Sequence, residues 1–553
     1  MKQTYKQVVI SLITTLLLAG CYGWGGLVVS EPQPDPDPTP LPDQNDGLNL
    51  EQCTPLFKQY ATAQEQGTEA TLPNFSYAGY AHGEQPVPVV DYQEILVDDF
   101  GAVPNDEQSD RKAVMDAIQA AEALVKSGSH GVVIRFSAGR YDLHTADEKS
   151  VKEPITIQTR NMVLRGCTNG EGRTELYMEY PNEPNDNTLW NTNELIMFTY
   201  PGAKKDESVQ LTTLTADAPR GSHTIQVASA SGLSMGQRVL LKMTNNAPEV
   251  VADEVKPYSV EGEWTELPHE GVQVAEYHEI ARIEGTKITL KEPLMHKVVA
   301  TWGWTLHRHQ HVVGCGVEHI DFRGNFQERF NHHLNALHDS GFRMLTMRRQ
   351  VNSWVIDCTF TDVSEALSVM LSANVSVLGC TIKGNAGHSA IRSQASSFVL
   401  IGGCNDQAGQ YHSFGVSKTA SGTVLWRNVS NSNTSFESHC SQPRATLIDA
   451  TKSGFMPNHA GGDAALGPNH LADLVLWNFR QSSTRGTTFN LWERNNRFLM
   501  PIIAGYQGSN QFLPEQVTAD ESHGQAVYPE SLYEGQLLLR LGYLPAWTAP
   551  YIK

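Results

Sequence analysis

Short runs of apolar and β-branched residues recur along the second half of the chain, separated by clusters of Gly, Asn, Ser and Asp. Such runs predict β-strands, and the polar clusters between them predict turns. Cys358, Cys380 and Cys404 hold the same place in three successive runs, at nearly equal intervals. The predicted strand segments are Trp354–Phe360, Val375–Ile382, Phe398–Cys404, Thr423–Val429, Ala445–Ala450, Asp473–Phe479 and Phe498–Ala504.

This repeat predicts an all-β solenoid, because one unit is too short to bury its own apolar face and must stack on its neighbours. A coil of about 22–27 residues fits a right-handed parallel β-helix, whereas leucine-rich repeats need a regular leucine lattice that is absent here. The recurring cysteines are then small apolar side chains stacked in the interior. Without Cys21, seven cysteines remain, and an odd number excludes complete disulfide pairing within one chain.

The segment Ile95–Leu143 combines an FGA turn, an acidic loop, an amphipathic helical pattern and a strand pattern that ends in a Gly-x-Tyr turn. This order resembles the N-terminal cap of the pectate-lyase-like β-helix superfamily, and the resemblance implies an enzyme of the polysaccharide lyase type. Asp110 is expected to cap the helix. The helical face that would close the open end of the solenoid consists of Val114, Ile118, Ala121 and Val125.

The remaining pattern divides the chain into six parts. The repeat is lost over residues 181–310, where short alternating segments predict a small inserted β-subdomain. One more helical pattern, at residues 528–547, is expected to cap the far end. The predicted parts are a lipoprotein signal peptide at 1–21, a Pro- and Asp-rich linker at 22–50, the N-terminal cap with the first coils at 51–180, the inserted subdomain at 181–310, further coils at 311–510 and a C-terminal cap at 511–553.

The N-terminus predicts an exported lipoprotein. The apolar run Val8–Ala19 follows two lysines and is too short to span a bilayer comfortably. The sequence Leu18-Ala19-Gly20-Cys21 resembles the bacterial lipobox, which implies a lipid on Cys21 and attachment to a membrane, at the cell surface or the outer membrane of a bacterium. The Pro-rich residues 31–47 favour an extended spacer on the order of 50 Å long.

The charge balance narrows the choice of partner. The formal net charge is −19, which argues against a nucleic-acid partner. The hydrophobic content of 40% supplies a sizeable core and excludes wholesale disorder. A monomer is expected.

Two columns of polar residues follow from the coil spacing. His388 and His412 each lie eight residues after a cysteine of the repeat, so they are predicted to occupy the same outward corner of adjacent coils. His439 is expected to continue this column. A second, cationic column is predicted because Arg392, Lys418 and Arg444 follow one another at equal intervals.

Histidines beside arginines on an acidic protein favour an anionic substrate. A lyase that acts on a uronate polymer needs a cation at the C5 carboxylate, a base for the C5 proton and an acid for the departing O4. Arginine fits a carboxylate, and histidine titrates near neutral pH. The predicted roles are carboxylate neutraliser for Arg392 or Arg444, base for His412 or His388, acid for Tyr411, and orientation of either partner for His439.

Further residues are predicted to bind substrate. Lys418 belongs to the cationic column, His333 and Asn335 lie in a long connection that would form a wall of the groove, and Trp302 could stack on a sugar ring. No metal site is identified and no cofactor is required, with Ca²⁺ as the alternative. Its carboxylate ligands would come from Asp362, Glu365, Asp406, Glu437 and Asp463.

Three functions remain open at this point. The leading interpretation is a polysaccharide lyase that cleaves a uronic-acid polymer such as alginate, ulvan, a pectin-like galacturonan or a glycosaminoglycan by β-elimination. A β-helix glycoside hydrolase is the first alternative, although the Asn-Thr-Asp and Asp-Asp motifs of polygalacturonases are missing from the coil region. A non-catalytic glycan-binding surface protein is the second alternative.

Overall fold

The computed structural model describes residues 47–202, 208–483 and 488–552. The predicted signal peptide, Cys21 and all but the last residues of the predicted linker lie outside the described residues. Within these ranges, none of the helices combines the length and the apolar composition that a bilayer crossing requires.

Three parallel sheets form a right-handed β-helix, as the repeat predicts. Sheet 1 contains β1 (Gln93–Leu96), β2 (Val132–Arg135), β5 (Met162–Arg165), β14 (Val312–Val313), β15 (Gly316–Glu318), β18 (Gln350–Ile356), β21 (Ala373–Leu378), β24 (Leu400–Gly402), β27 (Thr423–Trp426), β30 (Thr446–Asp449), β32 (Leu474–Trp477), β37 (Ile502–Ala504) and β39 (Ala519–Glu521). Sheet 2 contains β3 (Gly139–His144), β6 (Thr174–Met178), β16 (Ile320–Arg323), β19 (Thr359–Thr361), β22 (Thr381–Lys383), β25 (Asn405–Asp406), β28 (Val429–Ser430), β31 (Lys452–Ser453) and β33 (Arg480–Gln481). Sheet 3 contains β4 (Ile155–Ile157), β7 (Ile196–Phe198), β17 (Arg343–Arg348), β20 (Glu365–Met370), β23 (Ser389–Gln394), β26 (His412–Ser417) and β29 (Ser435–Ser438).

The interior of the solenoid is apolar, and the cysteine repeat lies within it. Cys358, Cys380 and Cys404 are buried free thiols, which confirms their predicted packing role. Asn428 continues this line in the next coil, because its Oδ1 accepts a hydrogen bond from the Cys404 N–H at 2.9 Å and its Nδ2 donates to the Ile401 carbonyl at 2.8 Å. Hydrogen bonds between aligned positions of successive coils join residues 22 or 24 apart in this region, so the coils have nearly equal lengths.

Helix α2 (Arg111–Lys126) packs on the first coils and joins the solenoid core. Its buried face contains all four predicted residues, Val114, Ile118, Ala121 and Val125, together with Ala117. Asp110 precedes the helix, but its carboxylate makes no capping hydrogen bond. It accepts hydrogen bonds from the Val103 and Asp142 backbone amides instead, so the expected side-chain cap is wrong.

A small antiparallel sheet is inserted into the solenoid, as the loss of the repeat predicts. It consists of β8 (Val209–Thr213), β9 (Thr224–Gln226), β10 (Arg238–Asn245), β11 (Val272–Glu284), β12 (Lys287–Leu290) and β13 (Thr305–Arg308), with α3 (Pro248–Val255) beside it. Strand β7 belongs to sheet 3, so the inserted sheet begins about thirty residues later than the predicted start at 181.

Helix α4 (Leu532–Leu541) covers the outer face of sheet 1, together with α1 (Pro55–Gln66). Trp426 and Trp477 point outward from sheet 1, and their indole N–H groups donate to the Glu534 carboxylate and the Pro529 carbonyl, both at 2.8 Å. Such large apolar side chains need cover, which explains why this helix lies along a side of the solenoid and not across its far end. Two short pairs complete the strands: β34 (Thr488–Phe489) with β38 (Gln511–Phe512), and β35 (Trp492–Glu493) with β36 (Asn496–Arg497).

Candidate active site

The outer face of sheet 3 is the floor of a cleft of about 720 Å³. We call it the sheet 3 cleft. The parallel register places one row of outward positions side by side, at Arg343, Glu365, Ser389 and His412. A second row contains Thr346, Ser368, Arg392, Gly415 and Glu437. A Cβ at Gly415 would lie 2.6 Å from the Glu437 carbonyl oxygen, so only glycine allows this close approach.

Loops from distant parts of the chain surround this floor. Trp190, His332 and His333 come from the connections before β7 and β17, and the rings of Trp190 and His333 lie 6.3 Å apart. Loop residues after β31, among them Asp463, and the turn between β35 and β36 also line the cleft. Trp190 is 56% exposed and offers a flat apolar surface at the rim of the cleft.

Three histidines meet in the sheet 3 cleft. His388 precedes β23, His412 begins β26, and His332 arrives from the long connection before β17. The ring centroids of His388 and His412 lie 5.3 Å apart. The ring centroid of His332 lies 5.4 Å from each of these two centroids. One ring nitrogen of each histidine lies within 4.8 Å of the other two.

Each of these rings leaves a buried nitrogen unpartnered among the described residues: His332 Nε2, His388 Nε2 and His412 Nδ1. The tautomer of His388 follows from its other nitrogen, which lies 2.9 Å from the Asp339 backbone carbonyl. A carbonyl only accepts hydrogen bonds, so His388 Nδ1 carries the proton and Nε2 carries the lone pair. Buried polar atoms without a partner are rare, and each one costs about 1–3 kcal/mol.

The environment of the cleft keeps the imidazoles of His332, His412 and His439 uncharged at neutral pH. Burial and the nearby His333 lower the pKa of His332 to about 4. Burial and the neighbouring His388 lower the pKa of His412 well below its usual value. Desolvation and the charge of Arg392 lower the pKa of His439 to about 3. Neutral imidazoles are able to accept a proton or bind a metal ion.

Tyr411 lies among these rings. It stacks on His332 with ring centroids 4.1 Å apart and packs edge-on against His412 at 4.7 Å. Burial raises the pKa of Tyr411, so its hydroxyl is protonated at neutral pH.

The two arginines of the floor are paired with buried carboxylates. Arg343 Nε lies 2.5 Å from Glu365 Oε2, and Arg392 Nε lies 2.9 Å from Glu437 Oε2. Burial alone would raise the pKa of Glu365, but Arg343 beside it lowers this pKa. Burial raises the pKa of Glu437. Arg392 Nη2 is buried and has no hydrogen-bond partner within the described ranges, so this arginine keeps an unused donor.

The predicted columns hold only in part. His388 and His412 lie together as predicted, and the His412 N–H donates to the His388 carbonyl at 2.9 Å. Ser435, and not His439, follows His412 in the register. His439 comes just after β29 and still lines the cleft, with its ring 6.1 Å from that of His412.

The predicted cationic column is wrong. Arg392 lies in β23, Lys418 in the turn after β26, and Arg444 just before β30 of another sheet. The interval between these cations is longer than the coils, so it drifts from one side of the solenoid to the next. Lys418 lines the cleft, whereas Arg444 is buried against the inserted subdomain, where its Nη2 lies 2.8 Å from Glu254 Oε1.

Two other predicted substrate contacts lie outside the cleft lining. Trp302 packs on the core of the inserted subdomain, with Lys297 Nζ 5.3 Å from its ring centre. Asn335 Oδ1 accepts a hydrogen bond from the His338 backbone at 3.2 Å and so stabilises the turn that follows His332 and His333. Of the carboxylates considered for Ca²⁺, Glu365 and Asp463 line the cleft, whereas Glu437 is buried. Glu365 and Glu437 are each paired with an arginine.

A second cavity of about 710 Å³ continues from the sheet 3 cleft towards the inserted sheet. The two share Met370, Lys418 and Ser441. The described lining of the second cavity contains the cations Lys242, Arg308, Arg348, Arg349 and Lys418 and the carboxylates Glu266 and Glu270. Cations thus outnumber carboxylates among the described residues along this path, on a protein that is acidic as a whole.

Sequence reasoning located some cleft residues only coarsely and missed others. His332 belongs to the connection that was predicted to form a wall of the groove, but no periodicity brings this loop to β23 and β26. Trp190 and Arg343 lie 153 residues apart in sequence, because the inserted subdomain comes between them. In the fold they are in contact, since Arg343 Nη2 donates to the Trp190 carbonyl. Glu365 follows Arg343 by one coil, so the coil period was the signal in the sequence that could have placed these two residues side by side.

Comparison with known proteins gives a fold and no activity. Residues 409–550 match the model of a domain of unknown function, DUF4955, a segment that contains Tyr411, His412 and His439. No curated protein matches the chain. Similar solved structures include the tailspike protein gp49 from Pseudomonas phage LKA1, which is 13% identical over 76% of this chain and 71% of its own, with a TM-score of 0.38.

Two further structures are enzymes of other organisms. The A-module of a mannuronan C-5 epimerase from Azotobacter vinelandii is 12% identical over 79% of this chain and 80% of its own, with a TM-score of 0.36. An exopolygalacturonase from Thermotoga maritima is 9% identical over 79% and 87%, with a TM-score of 0.32. Similarity at this level concerns the fold, which hosts many activities.

Proposed function

We propose that the protein is a lyase that cleaves a uronic-acid polysaccharide by β-elimination in the sheet 3 cleft. The observation that carries this proposal is the meeting of Tyr411, His439 and the unused Arg392 donor in one cleft large enough for sugar residues. These groups match the three needs of the reaction, which are an acid, a base and a cation for the carboxylate.

Exposure selects the base among the histidines. A base must touch the substrate, and the side chain of His439 is 34% exposed, against 6% for His388 and 2% for His412. We therefore assign proton abstraction to His439 and give His388 and His412 another role. His439 Nε2 also lies 3.7 Å from Glu437 Oε1, a carboxylate that is able to orient the ring.

The step balances with these groups. His439 takes the proton from C5, the C4–O4 bond breaks, and the electron pair of the C5–H bond forms the double bond between C4 and C5. Tyr411 gives its hydroxyl proton to the departing O4. The positive charge of Arg392, whose Nη2 is buried at the cleft, neutralises the carboxylate and stabilises the negative charge that develops next to C5.

The cationic path into the second cavity supports a polymeric anion as substrate. A chain of uronates that occupies the sheet 3 cleft would extend past Lys418 towards Arg308 and Arg348 of the second cavity. Positive potential along a cleft raises the local concentration of an anionic ligand. Trp190 at the rim adds a surface for stacking on a sugar ring.

The first experiment follows the products. Full-length protein in detergent is incubated with alginate, ulvan, polygalacturonate and glycosaminoglycans, and both ultraviolet absorbance and reducing ends are measured. A lyase forms a 4,5-unsaturated uronate, so absorbance and reducing ends rise together. His439→Gln should abolish both signals, while Tyr543→Phe, at a residue that is 51% exposed elsewhere on the surface, should leave both unchanged.

Other outcomes would overturn the assignment. Reducing ends without absorbance would establish a hydrolase, and the carboxylates Glu365 and Glu437 would then become the residues to test. Retained binding with neither signal on any of these polymers would favour a glycan-binding protein.

Export and lipid anchoring belong to the same proposal. The lipobox-like segment at Cys21 supports a location of the catalytic part outside the cytoplasm, where polysaccharides are found. Cys21→Ala should abolish incorporation of labelled palmitate and release the protein from the membrane fraction. Unchanged labelling in this variant would contradict the lipobox assignment.

A further inference from the structure

Three imidazoles converge in the sheet 3 cleft, and each has one buried ring nitrogen without a hydrogen-bond partner among the described residues. These three side chains have no part in the reaction steps above. We propose that His332, His388 and His412 bind one divalent transition-metal ion of the Zn²⁺ class and leave a coordination position open to the cleft. The binding of the ion rests on these three side chains alone. Its use as a second anchor for the substrate carboxylate rests on the proposed function.

The distances fit such an ion. Zinc binds imidazole nitrogen at about 2.0–2.1 Å, so the nitrogens of a tetrahedral site lie about 3.4 Å apart. One ring nitrogen of each histidine lies within 4.8 Å of those of the other two, and small rotations of the rings close the remaining gap. His332 comes from a loop and is only partly buried, so its ring has room to move towards the two rings on sheet 3.

The surroundings of the ligands resemble the outer shell of metal sites. A metal-bound histidine commonly donates its second N–H to a carbonyl or a carboxylate, which fixes its tautomer. His388 Nδ1 donates to the Asp339 carbonyl and so directs the lone pair of Nε2 away from it. The buried Asp339 carboxylate lies 2.6 Å from His333 Nδ1, and it accepts the His333 backbone N–H at 3.0 Å, which holds the loop that carries His332.

The donor set discriminates between metals. Ca²⁺ takes oxygen ligands, whereas imidazole suits Zn²⁺, Co²⁺, Ni²⁺ and Cu²⁺. The nearest carboxylate oxygen to His412 Nδ1 belongs to Glu437 at 3.7 Å, and Glu437 is paired with Arg392. A packing role for the histidines would leave three buried nitrogens without partners, each at a cost of about 1–3 kcal/mol, and one ion satisfies all three.

The open position faces the reacting groups. Three protein ligands leave room for water or substrate on the ion, as in catalytic zinc sites. Tyr411 stacks on the ring of His332, and the His439 ring lies 6.1 Å from that of His412. A uronate carboxylate on the ion would therefore lie next to the proposed acid and base, and the positive charge would assist the loss of the C5 proton.

Metal binding is measured without substrate on untagged, chelator-treated, full-length protein. Calorimetry with ZnCl₂ and visible spectroscopy with CoCl₂ should show one ion per chain, with the intense ligand-field bands of a tetrahedral cobalt site. His332→Gln, at a loop residue, and His388→Gln should each weaken zinc binding by more than about 100-fold. His439→Gln removes one cleft imidazole outside the triad and should keep one ion per chain.

Thermal unfolding shows whether each variant is folded. His388 is buried, so His388→Gln could fail to fold. In that case His332→Gln, at a loop residue, still tests the metal site. Absence of one-to-one zinc binding to the wild-type chain, or equal affinity in folded His332→Gln, would overturn the metal site. The binding experiment is independent of catalysis. Zinc binding without any lyase product would keep the site and reject the proposed function, while lyase activity that persists in the chelated protein would reject the role of the ion in substrate binding.

Discussion

At the scale of single residues, exposure and pairing separate chemical roles that the sequence leaves mixed. His388, His412 and His439 are all histidines of one cleft, but only His439 offers a substantial part of its side chain to a ligand. Arg392 and Arg444 are likewise equivalent in sequence. Arg392 keeps a donor without a described partner at the cleft. Arg444 forms an ion pair with Glu254 away from the cleft.

Tyr411→Phe tests the assignment of the acid. The substitution removes the hydroxyl and keeps the ring that stacks on His332, so the fold and substrate binding should persist. Loss of a general acid lowers kcat by about 10²–10⁴-fold. Initial rates of unsaturated-uronate formation give kcat and KM for the variant, and a fall of kcat by less than threefold would remove Tyr411 from the mechanism.

The titration of His278 predicts how stability depends on pH. Burial alone would lower the pKa of His278, but the hydrogen bond to Glu276 and the nearby negative charge of Glu292 raise it to about 9. Arg238 and His82 also bind Glu292, both at 2.7 Å. Because the folded pKa exceeds the unfolded value of about 6.5, this stabilisation is complete below pH 6.5 and is lost as the pH rises through about 9.

The measurement is the melting temperature between pH 6 and pH 10. The wild-type chain should lose more stability over this range than His278→Gln, in which the titrating group is absent. Parallel curves for the two proteins would show that His278 does not titrate as expected.

At the scale of elements, the register of parallel strands creates both the core and the cleft. The same coil-to-coil alignment that stacks Cys380 on Cys404 inside the solenoid aligns Arg343, Glu365 and His412 outside it. Side chains of successive strands thus form rows, and any row of polar residues on an outer face is available for function.

Asn428→Ala tests the internal line that the cysteines begin. The amide of Asn428 satisfies the Cys404 N–H and the Ile401 carbonyl within the buried interior. Alanine leaves both backbone groups unpaired, so we expect the free energy of unfolding to fall by about 2–4 kcal/mol. Denaturant unfolding measures the loss, and Asn433→Ala, at an exposed turn of the next coil, should change it by less than about 0.5 kcal/mol.

At the scale of the described domain, the inserted subdomain is joined to the solenoid by buried charges. Arg444 and Glu254 form one such pair, and Arg238 of β10 binds both Glu292 and the solenoid residue Asn374. These contacts bring Lys242 and Arg308 of the inserted sheet to the second cavity, next to the sheet 3 cleft. The insertion thereby contributes to the proposed path of the substrate.

Arg444→Ala should loosen this junction. It leaves the buried Glu254 carboxylate with only His296 at 3.0 Å, and the loss of one partner of a buried ion pair costs about 3–5 kcal/mol. Arg444→Met combined with Glu254→Gln should recover most of that loss. Arg282→Ala, which breaks an exposed pair with Glu284, is the control and should cost less than about 1 kcal/mol by denaturant unfolding.

The sequence by itself determined the solenoid, because the coil period and the alternation of apolar and turn residues are local patterns. The Cys358, Cys380 and Cys404 repeat established the period, the loss of that period indicated the insertion, and the segment around α2 indicated the N-terminal helix. The same period also brought His388 and His412 together, since the interval between them equals the interval between Cys380 and Cys404.

Only the tertiary structure decided the composition of the cleft. The interval between Arg392, Lys418 and Arg444 is longer than the local coils, so these residues drift around the solenoid and do not form a column. His332 and Trp190 arrive on loops whose paths depend on packing against distant residues, and no local pattern encodes such contacts.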